Sequence, residues 1–204
     1  MSLTGSFSQS ISACGITITG SVPKTGTIGI EPVTTNLPVG NAGTLLTRTE
    51  DDTGTITLEA GHTIENGDVV DVHWSGGCRY GMTATTSGGT SVSADVDGGA
   101  GDVLPVEDTE VVVTVPVVLD LTFDGDNLVL IGVGANQQAS VRFLDSGSAV
   151  LLSELVIANG SWGWASGMGV ANPLTGNAVA SVLASNGSAV SVCELKITGL
   201  QYSA

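Results

Sequence analysis

Basic residues are scarce in this chain. Its 204 residues include five lysines and arginines against 20 aspartates and glutamates, and the net charge with neutral histidines is −15. A nucleic-acid interface needs basic side chains to neutralise phosphates, so the composition predicts no nucleic-acid partner. Hydrophobic residues nevertheless make up 42% of the chain. That share excludes a disordered acidic tail, because such tails lack apolar side chains to bury.

Long apolar runs are also absent. No run in the sequence is long enough to cross a bilayer, which predicts no membrane-spanning helix and no membrane partner. The first twelve residues, MSLTGSFSQSIS, carry no basic residue and no continuous apolar stretch. This pattern is not that of a secretory signal peptide, so we expect the protein to fold and assemble in a cytoplasm.

The three cysteines, Cys14, Cys78 and Cys193, are odd in number and far apart. A disulfide framework uses an even number of cysteines in a smaller domain, and a metal site uses closely spaced ones. We therefore expect buried, reduced thiols that pack as small hydrophobic side chains.

Branched side chains dominate what is present. Valine, isoleucine and threonine account for 59 residues, and 29 glycines supply turns. Branching at Cβ restricts χ1, which disfavours a helix and suits a pleated sheet. No stretch of ten residues carries apolar positions at helical spacing together with capping residues. The sequence therefore predicts an all-β protein.

The chain is predicted to contain three parts. Residues 1–43 are interpreted as an N-terminal β-arm and linker, because prolines interrupt strand pairing there. Residues 44–116 are predicted to form a small β-barrel or sandwich, since strand-like stretches recur every eight to twelve residues or so. The dipeptide Gly76-Gly77 is interpreted as a hairpin loop of this part. Residues 117–204 are predicted to form an antiparallel β-sandwich.

A duplicated segment supports the sandwich. Residues 147–157 read GSAVLLSELVI and residues 187–197 read GSAVSVCELKI, with seven of eleven positions identical. Upstream of them, Ala139-Ser140-Val141 matches Ala180-Ser181-Val182, so each copy with its upstream segment is interpreted as a strand, a Gly-Ser turn and a second strand. The repeat therefore predicts a duplicated hairpin, stacked in two sheets.

The segment from Asp95 to Asp102, DVDGGAGD, is the best candidate for a metal site. Ca²⁺ binds carboxylate and carbonyl oxygens on a flexible loop, and Asp95, Asp97 and Asp102 would supply them. The spacing departs from both a glycine-aspartate calcium repeat and an EF-hand loop, so a solvated acidic hairpin is the favoured interpretation. The same interpretation applies to a second cluster, formed by Asp120, Asp124 and Asp126. We accordingly expect no bound metal and no cofactor.

The sequence offers no recognisable catalytic centre. The two histidines, His62 and His73, have no partner at metal-ligand spacing, and no GxSxG motif supplies a nucleophilic serine. A pair of carboxylates could serve a glycosidase, but aromatic residues make up only 4% of the chain, and sugar clefts use them for stacking. We expect that the protein is not an enzyme. A histidine in a cleft beside two carboxylates would reverse that expectation.

One short segment combines two indoles with a thioether. Trp162, Trp164 and Met168 lie in a Gly- and Ser-rich stretch between the two repeat copies, which is interpreted as a loop. They could form a ligand platform or an interface anchor, or the indoles could plug the open end of the sandwich.

The negative charge is unevenly placed. Sixteen of the 20 acidic residues lie between Glu50 and Asp126, where Arg79 is the sole basic residue. Such a surface keeps a sheet soluble, and it also suits a basic partner.

The stretches GTLLTRTEDDTGTITL, GDVVDVHWSGG, RYGMT and DGGAGDVLP resemble small β-domains of tailed-bacteriophage virion proteins. The resemblance lies in the general character of the sequence, which is acidic, rich in Gly, Ser, Thr and Val, and poor in aromatic residues. It implies a structural subunit that folds in the host cytoplasm and docks onto the virion. A capsid decoration, or cement, protein is the leading expectation. Its partners would be further copies of itself, for example in a trimer, and the major capsid protein or other virion subunits.

Two alternatives stay open. A phage tail or neck component would have the same kind of sequence. A carbohydrate-binding or adhesion β-sandwich would instead use Trp162 and Trp164 as exposed, coplanar indoles. Assembly is favoured because lysine, a common guard of exposed strand edges, is nearly absent.

Overall fold

A computed structural model gives the fold and describes residues 5–11, 16–22, 27–86, 93–166 and 168–202. Within these ranges the chain is all β, as predicted, with a single 3-10 turn at Gly125–Asn127. None of the described segments is a helix long and apolar enough to cross a membrane. Cys78 and Cys193 are buried thiols, whereas Cys14 lies outside the described residues.

Nineteen strands occupy the described ranges. In chain order they are β1 Gly5–Ile11, β2 Ile16–Val22, β3 Thr27–Leu37, β4 Asn41–Arg48, β5 Thr53–Leu58, β6 Val69–Trp74, β7 Gly77–Thr86, β8 Ser93–Asp97, β9 Ala100–Gly101, β10 Glu110–Thr114, β11 Val117–Leu119, β12 Phe123–Asp124, β13 Leu128–Ala135, β14 Ala139–Leu144, β15 Val150–Val156, β16 Gly160–Ala165, β17 Ala178–Val179, β18 Ser181–Asn186 and β19 Cys193–Tyr202.

The chain divides into two compact units. The barrel unit comprises Leu37–Val117 and Ser185–Cys193, and the sheet unit comprises Met1–Asn36, Val118–Ala184 and Glu194–Ala204. The division differs from the expected one in three places. Residues 1–36, interpreted as part of a separate arm and linker, belong to the sheet unit, and β3 continues through Pro32, where strand pairing was expected to stop. Residues 37–43, interpreted as linker, join the barrel unit because β4 begins at Asn41 and pairs with β10. Residues 185–193, expected in the sandwich, also belong to the barrel unit.

Six strands of the barrel unit close on themselves. Their order is β6-β10-β4-β5-β8-β7, and β6 pairs again with β7, while β9 adds to β7. All of these pairings are antiparallel. Closure satisfies the backbone groups that an open sheet would leave at its edges.

The barrel core follows from the alternation of side chains along each strand. In β6, Val70 and Val72 are fully buried and belong to a core cluster of thirteen residues. Successive side chains of a strand point to opposite faces, so Asp71 and His73 lie on the outer face of the barrel. Both are nevertheless buried there, and Ser185 of the same unit lies against them.

The hairpin that closes the barrel turns at Ser75 and Gly76, one residue earlier than expected. Gly76 has a φ of +84°, in the left-handed region that favours glycine. Gly77 begins β7 opposite Trp74, whose indole packs against the barrel core. A Cβ on Gly77 would lie 2.4 Å from the indole ring. The predicted Gly76-Gly77 loop is wrong by one residue because Gly77 makes room for the indole within the ladder.

The sheet unit contains two four-stranded sheets, with the orders β11-β18-β14-β15 and β16-β13-β19-β3. Two shorter ladders, β12 with β17 and β1 with β2, accompany them. All eight residues of β13 and all six of β14 are buried, so these central strands are covered on both faces. A strand that is buried on both faces usually has a continuous apolar sequence, as β13 has in LVLIGVGA.

The two copies of the repeat adopt different pairings. In the first copy β14 and β15 form the predicted hairpin, and the Asp145 carboxylate closes it by accepting two backbone N–H groups of the turn. In the second copy β18 lies beside β14, whereas β19 joins the other sheet, so the predicted second hairpin does not form. The Asn186 amide instead donates to the carbonyls of Pro38 and Ser191, which holds the connecting segment in the barrel unit.

Gly77→Ala is expected to destabilise the protein by about 1–3 kcal/mol, because the new Cβ must displace an indole that packs against the core. Guanidinium denaturation followed by tryptophan fluorescence measures the change in the free energy of unfolding. Gly147→Ala is the matched control, since its Cβ would come no closer than 3.3 Å to a neighbour, the Asp145 carboxylate. Equal stabilities of the two variants would contradict the packing of the indole on Gly77.

Candidate functional site

The two indoles lie on a strand, not in the loop expected from the sequence. Trp162 and Trp164 belong to β16, which pairs with β13 and places them opposite Val133 and Ile131. Because they are two residues apart, both side chains project from the same face of the strand. Met168 lies in the turn that follows and is 58% exposed.

These side chains do not form a pair of exposed indoles. Trp164 is buried, and its Nε1 donates a hydrogen bond to the Val170 carbonyl at 3.1 Å. The Met168 sulfur lies 3.2 Å from the backbone N of Ala165, so the turn folds back on the end of β16. Trp162 is half-buried. The segment thus presents one accessible indole, whereas a coplanar sugar platform needs two.

A buried guanidinium occupies the centre of the acidic segment that was the best metal candidate. Arg79 on β7 donates from Nε to the Gly98 carbonyl at 2.7 Å, from Nη1 to the Asp102 carbonyl at 3.0 Å and from Nη2 to the Gly99 carbonyl at 3.1 Å. Its Nη2 also lies 3.6 Å from an Asp52 carboxylate oxygen. The carbonyl oxygens that a calcium ion would need therefore already bind a side-chain cation.

The carboxylates of the same segment are hydrogen-bond acceptors within the barrel. Asp95 accepts from the Thr55 hydroxyl at 2.7 Å and Asp97 from the Thr53 hydroxyl at 2.9 Å, across the β5–β8 ladder. Asp102 accepts from the backbone N–H of Cys78 at 3.0 Å. Each of the three carboxylates is thus committed to a structural contact.

The second acidic cluster also stabilises a turn. Asp124 caps the 3-10 turn by accepting from the backbone N–H of Asp126 at 3.0 Å and from the Asn127 amide at 2.8 Å. Asp126 accepts from the backbone N–H of Gly176 at 2.7 Å. Within the described ranges, no group of three or more His, Cys, Asp or Glu side chains is arranged to hold a metal ion.

A buried polar cluster, which sequence spacing does not reveal, lies on the outer face of β6. The Ser185 hydroxyl donates to the Asp71 carboxylate at 2.5 Å, and His73 Nε2 lies 2.9 Å from the same hydroxyl oxygen. Gly81 donates its backbone N–H to the other Asp71 oxygen at 3.0 Å, and the Cys78 sulfur lies 3.9 Å from Nε2.

This cluster has the residue types of a hydrolase but a different arrangement. In a Ser-His-Asp triad the histidine accepts the serine proton and the aspartate orients the histidine. Here the serine donates directly to Asp71, and Asp71, His73 and Ser185 are each at most 1% exposed. The cluster attaches the segment Ser185–Cys193 to the face of the barrel. The other histidine, His62, lies apart in the turn after β5 and is half-buried.

The sequence does not predict this cluster, because its members lie far apart in the chain. Ser185 is 112 residues from His73 and 114 residues from Asp71. No motif links such distant positions, and only the alternation along VVDVHW hints that Asp71 and His73 share one face.

Glu154 is an acidic residue on β15, at the end of a sheet. The β14–β15 register places it opposite Val141, on the face that also carries Phe143, and both of these side chains are fully buried. Burial removes water from the carboxyl group and disfavours its charged form, which raises the pKa of Glu154 above its usual value. A carboxylate therefore faces the interior of the sheet unit from a strand at the edge.

The negative charge is concentrated on the barrel unit. Its 13 acidic residues against two arginines give a net charge of −11, out of −15 for the whole chain. Arg79 is buried, and Arg48 forms an ion pair with Asp51 and donates to the Glu50 carbonyl. The electrostatic potential around this unit is therefore negative.

Comparisons of the chain with protein-family models, with curated proteins and with solved structures found no match. An inference about function therefore depends on the contacts, burial and charge described above.

Arg79→Lys is expected to destabilise the barrel unit by about 2 kcal/mol, because an ammonium group cannot reproduce a planar fork that donates to three carbonyls. Thermal unfolding followed by circular dichroism measures the loss. Arg48→Lys, at a half-buried surface position, is the control and should change stability by less than about 0.5 kcal/mol. A calcium-dependent rise in the Tm of the wild type would contradict the assignment of these carbonyls to Arg79.

Glu154→Gln is expected to raise the Tm at pH 7, because the folded protein then no longer desolvates a charged carboxylate. The folded-state pKa lies above the unfolded one, so the wild type gains stability as the pH falls through that window and loses it as the pH rises. The advantage of the variant should therefore shrink at about pH 4 and below.

The control for this pH dependence is Glu194→Gln, at the equivalent position of the second repeat copy. Glu194 forms an ion pair of 2.9 Å with Lys196, so its replacement should leave the Tm unchanged or lower at pH 7. A Tm advantage of Glu154→Gln that is equal at pH 7 and pH 3.5 would contradict burial as its cause.

Proposed function

We propose that this protein is a structural subunit of a tailed-phage virion and, within that class, a capsid decoration protein that strengthens the head through contacts between subunits. The observation that carries the proposal is a contrast between two kinds of side chain. The polar groups best suited to chemistry are engaged in internal contacts, whereas large aliphatic side chains face water.

The polar side of the contrast is found in the barrel unit. Ser185, His73 and Asp71 are buried and bonded to one another in series. Arg79 is held by three backbone carbonyls. A catalytic site needs such groups in contact with a substrate, so their burial supports a mechanical role over an enzymatic one.

The apolar side of the contrast is spread over both units. Val190 is 89% exposed and Val106 is 72% exposed. Three further side chains are about two-thirds exposed, namely Val118, Ile157 and Val170. Aliphatic groups on an otherwise polar surface gain free energy when a neighbouring subunit covers them, and their distribution suits a subunit with more than one neighbour.

The choice of a virion rests on the general character of the sequence and on its charge. The chain is acidic, has two lysines, and is rich in Gly, Ser, Thr and Val, as in the phage β-domains that it resembles. A tail or neck position has the same support. The adhesion alternative has less, because the burial of Trp164 removes one of the two indoles that a sugar platform would use.

Mass spectrometry of gradient-purified virions from the phage that encodes the chain tests the proposal. We expect the protein in the particle, at a copy number proportional to that of the major capsid protein. A copy number far below that ratio would assign it to the tail or neck and contradict the decoration role. Light scattering of the purified protein is expected to show a homo-oligomer. A stable monomer that is absent from virions would overturn the virion role altogether.

A further inference from the structure

One strand of the sheet unit lies at an edge of its sheet. In the order β11-β18-β14-β15, β15 is terminal and β14 is its one neighbour among the described strands. The strand reads VLLSELV and contains no proline, glycine or lysine, the residues that commonly protect an edge from further pairing. Five of its seven residues are half-buried, which includes all three leucines.

The second repeat copy shows how the aligned residues pack in a strand that has two neighbours. The last four residues of β15 align with residues 193–196, which begin β19, and β19 lies between β13 and β3. Leu195 is fully buried there, whereas the equivalent Leu155 is half-buried. Leu155 therefore occupies a position that a second neighbouring strand can bury further.

The glutamate that both copies share has different neighbours in each copy. On β19, Glu194 forms an ion pair of 2.9 Å with Lys196. On β15 the equivalent glutamate is Glu154, and the residue that corresponds to the lysine is Val156. Glu154 lies opposite the buried Val141 and is half-buried on the terminal strand of its sheet. A strand added beside β15 would remove more water from this carboxyl group, so a favourable addition brings a positive charge.

We propose that β15 is a docking edge that accepts, by strand addition, an extended segment of another protein carrying a lysine or arginine beside Glu154. The added backbone supplies the ladder hydrogen bonds, and the cation takes the place that Lys196 has beside Glu194. The net charge of −15 also favours a basic segment over an acidic one at long range, because opposite charges attract. The inference rests on the proposed assembly role and names the chemistry of the partner.

A second copy of this chain is a poorer occupant. Antiparallel pairing of all seven β15 residues would place the two Glu154 side chains on one face, diagonal to each other at roughly 7–8 Å. Both carboxylates would then lose water without gaining a cation. The described basic side chains are already engaged or buried: Arg48 with Asp51, Arg79 with backbone carbonyls, Arg142 at 3% exposure and Lys196 with Glu194.

The other edges of the two four-stranded sheets are less suited to an added strand. The edge strand β11 has three residues, and β3 contains Pro32, which cannot donate to a ladder. The end of β16 is covered by its own turn, where Met168 contacts the backbone N of Ala165. With seven residues and no such obstacle, β15 is the best docking edge of these two sheets.

Binding of short β-strand peptides to the full chain tests the proposal. The probe is a capped, fluorescently labelled peptide that alternates threonine and valine around a central lysine, and its variants carry glutamine or glutamate at the centre. Fluorescence anisotropy is expected to show that the lysine peptide binds about fivefold or more tightly than the glutamine peptide. Glu154→Gln should abolish that preference, and Glu194→Gln should keep it. A lack of preference in the wild type, or a preference that survives Glu154→Gln, would overturn the proposal.

Hydrogen exchange locates the bound peptide. We expect slower exchange in residues 147–157 and unchanged exchange in residues 187–197 when the lysine peptide is added. Slower exchange in other residues would contradict the assignment of the peptide-binding site to β15. Protection of residues 147–157 that rises with protein concentration, without peptide, would identify a second copy as the occupant and would also overturn it.

The outcome separates this inference from the virion role. A protein that is abundant in virions but shows no lysine preference would refute the docking edge alone. A protein that is absent from virions, yet selects the lysine peptide through Glu154, would refute the virion role alone.

Discussion

Closure of the barrel between β6 and β7 is the constraint on which the rest of the barrel unit depends. The hairpin places the Trp74 indole over Gly77, the Cys78 backbone against Asp102, and the Arg79 guanidinium among three carbonyls. If β7 separated from the segment that carries Gly98, Gly99 and Asp102, a buried cation would lose its acceptors. A buried charge without partners costs several kcal/mol, which is a large part of the stability of an ordinary domain. Strand pairing, the packing of the Trp74 indole and the binding of the Arg79 guanidinium therefore all involve residues 74–79.

The acidic composition has a structural use in addition to its effect on solubility. Carboxylates of the barrel accept from threonine hydroxyls across a ladder, as Asp95 does from Thr55, or from backbone N–H groups, as Asp102 does from Cys78. Others cap turns, as Asp145 does in the β14–β15 hairpin. Hydrogen bonds from N–H and O–H groups give these carboxylates partners, so a sheet rich in threonine can hold many carboxylates with few cations.

The duplicated segment shows how far local sequence determines a strand. Both copies form a strand over the Glu-Leu pair that they share, in β15 and at the start of β19. Their neighbours differ: Asp145 folds the first copy into a hairpin, and Asn186 binds the second to Pro38 and Ser191. Glu154 and Glu194 consequently face different surroundings, one beside buried side chains and one beside a lysine. Docking at the β15 edge is an inference from that difference.

The sequence by itself determined the all-β class, the approximate strands of the barrel and the first repeat hairpin, because each depends on period-two alternation or on a turn within a few residues. It did not reveal that Ser185 joins His73 and Asp71, that Arg79 occupies the acidic segment, or that Trp164 is buried on a strand. Those contacts connect positions far apart in the chain or depend on which face of a strand is covered. Only the tertiary structure decided them, since strand formation is local whereas strand pairing is a choice among many similar apolar partners.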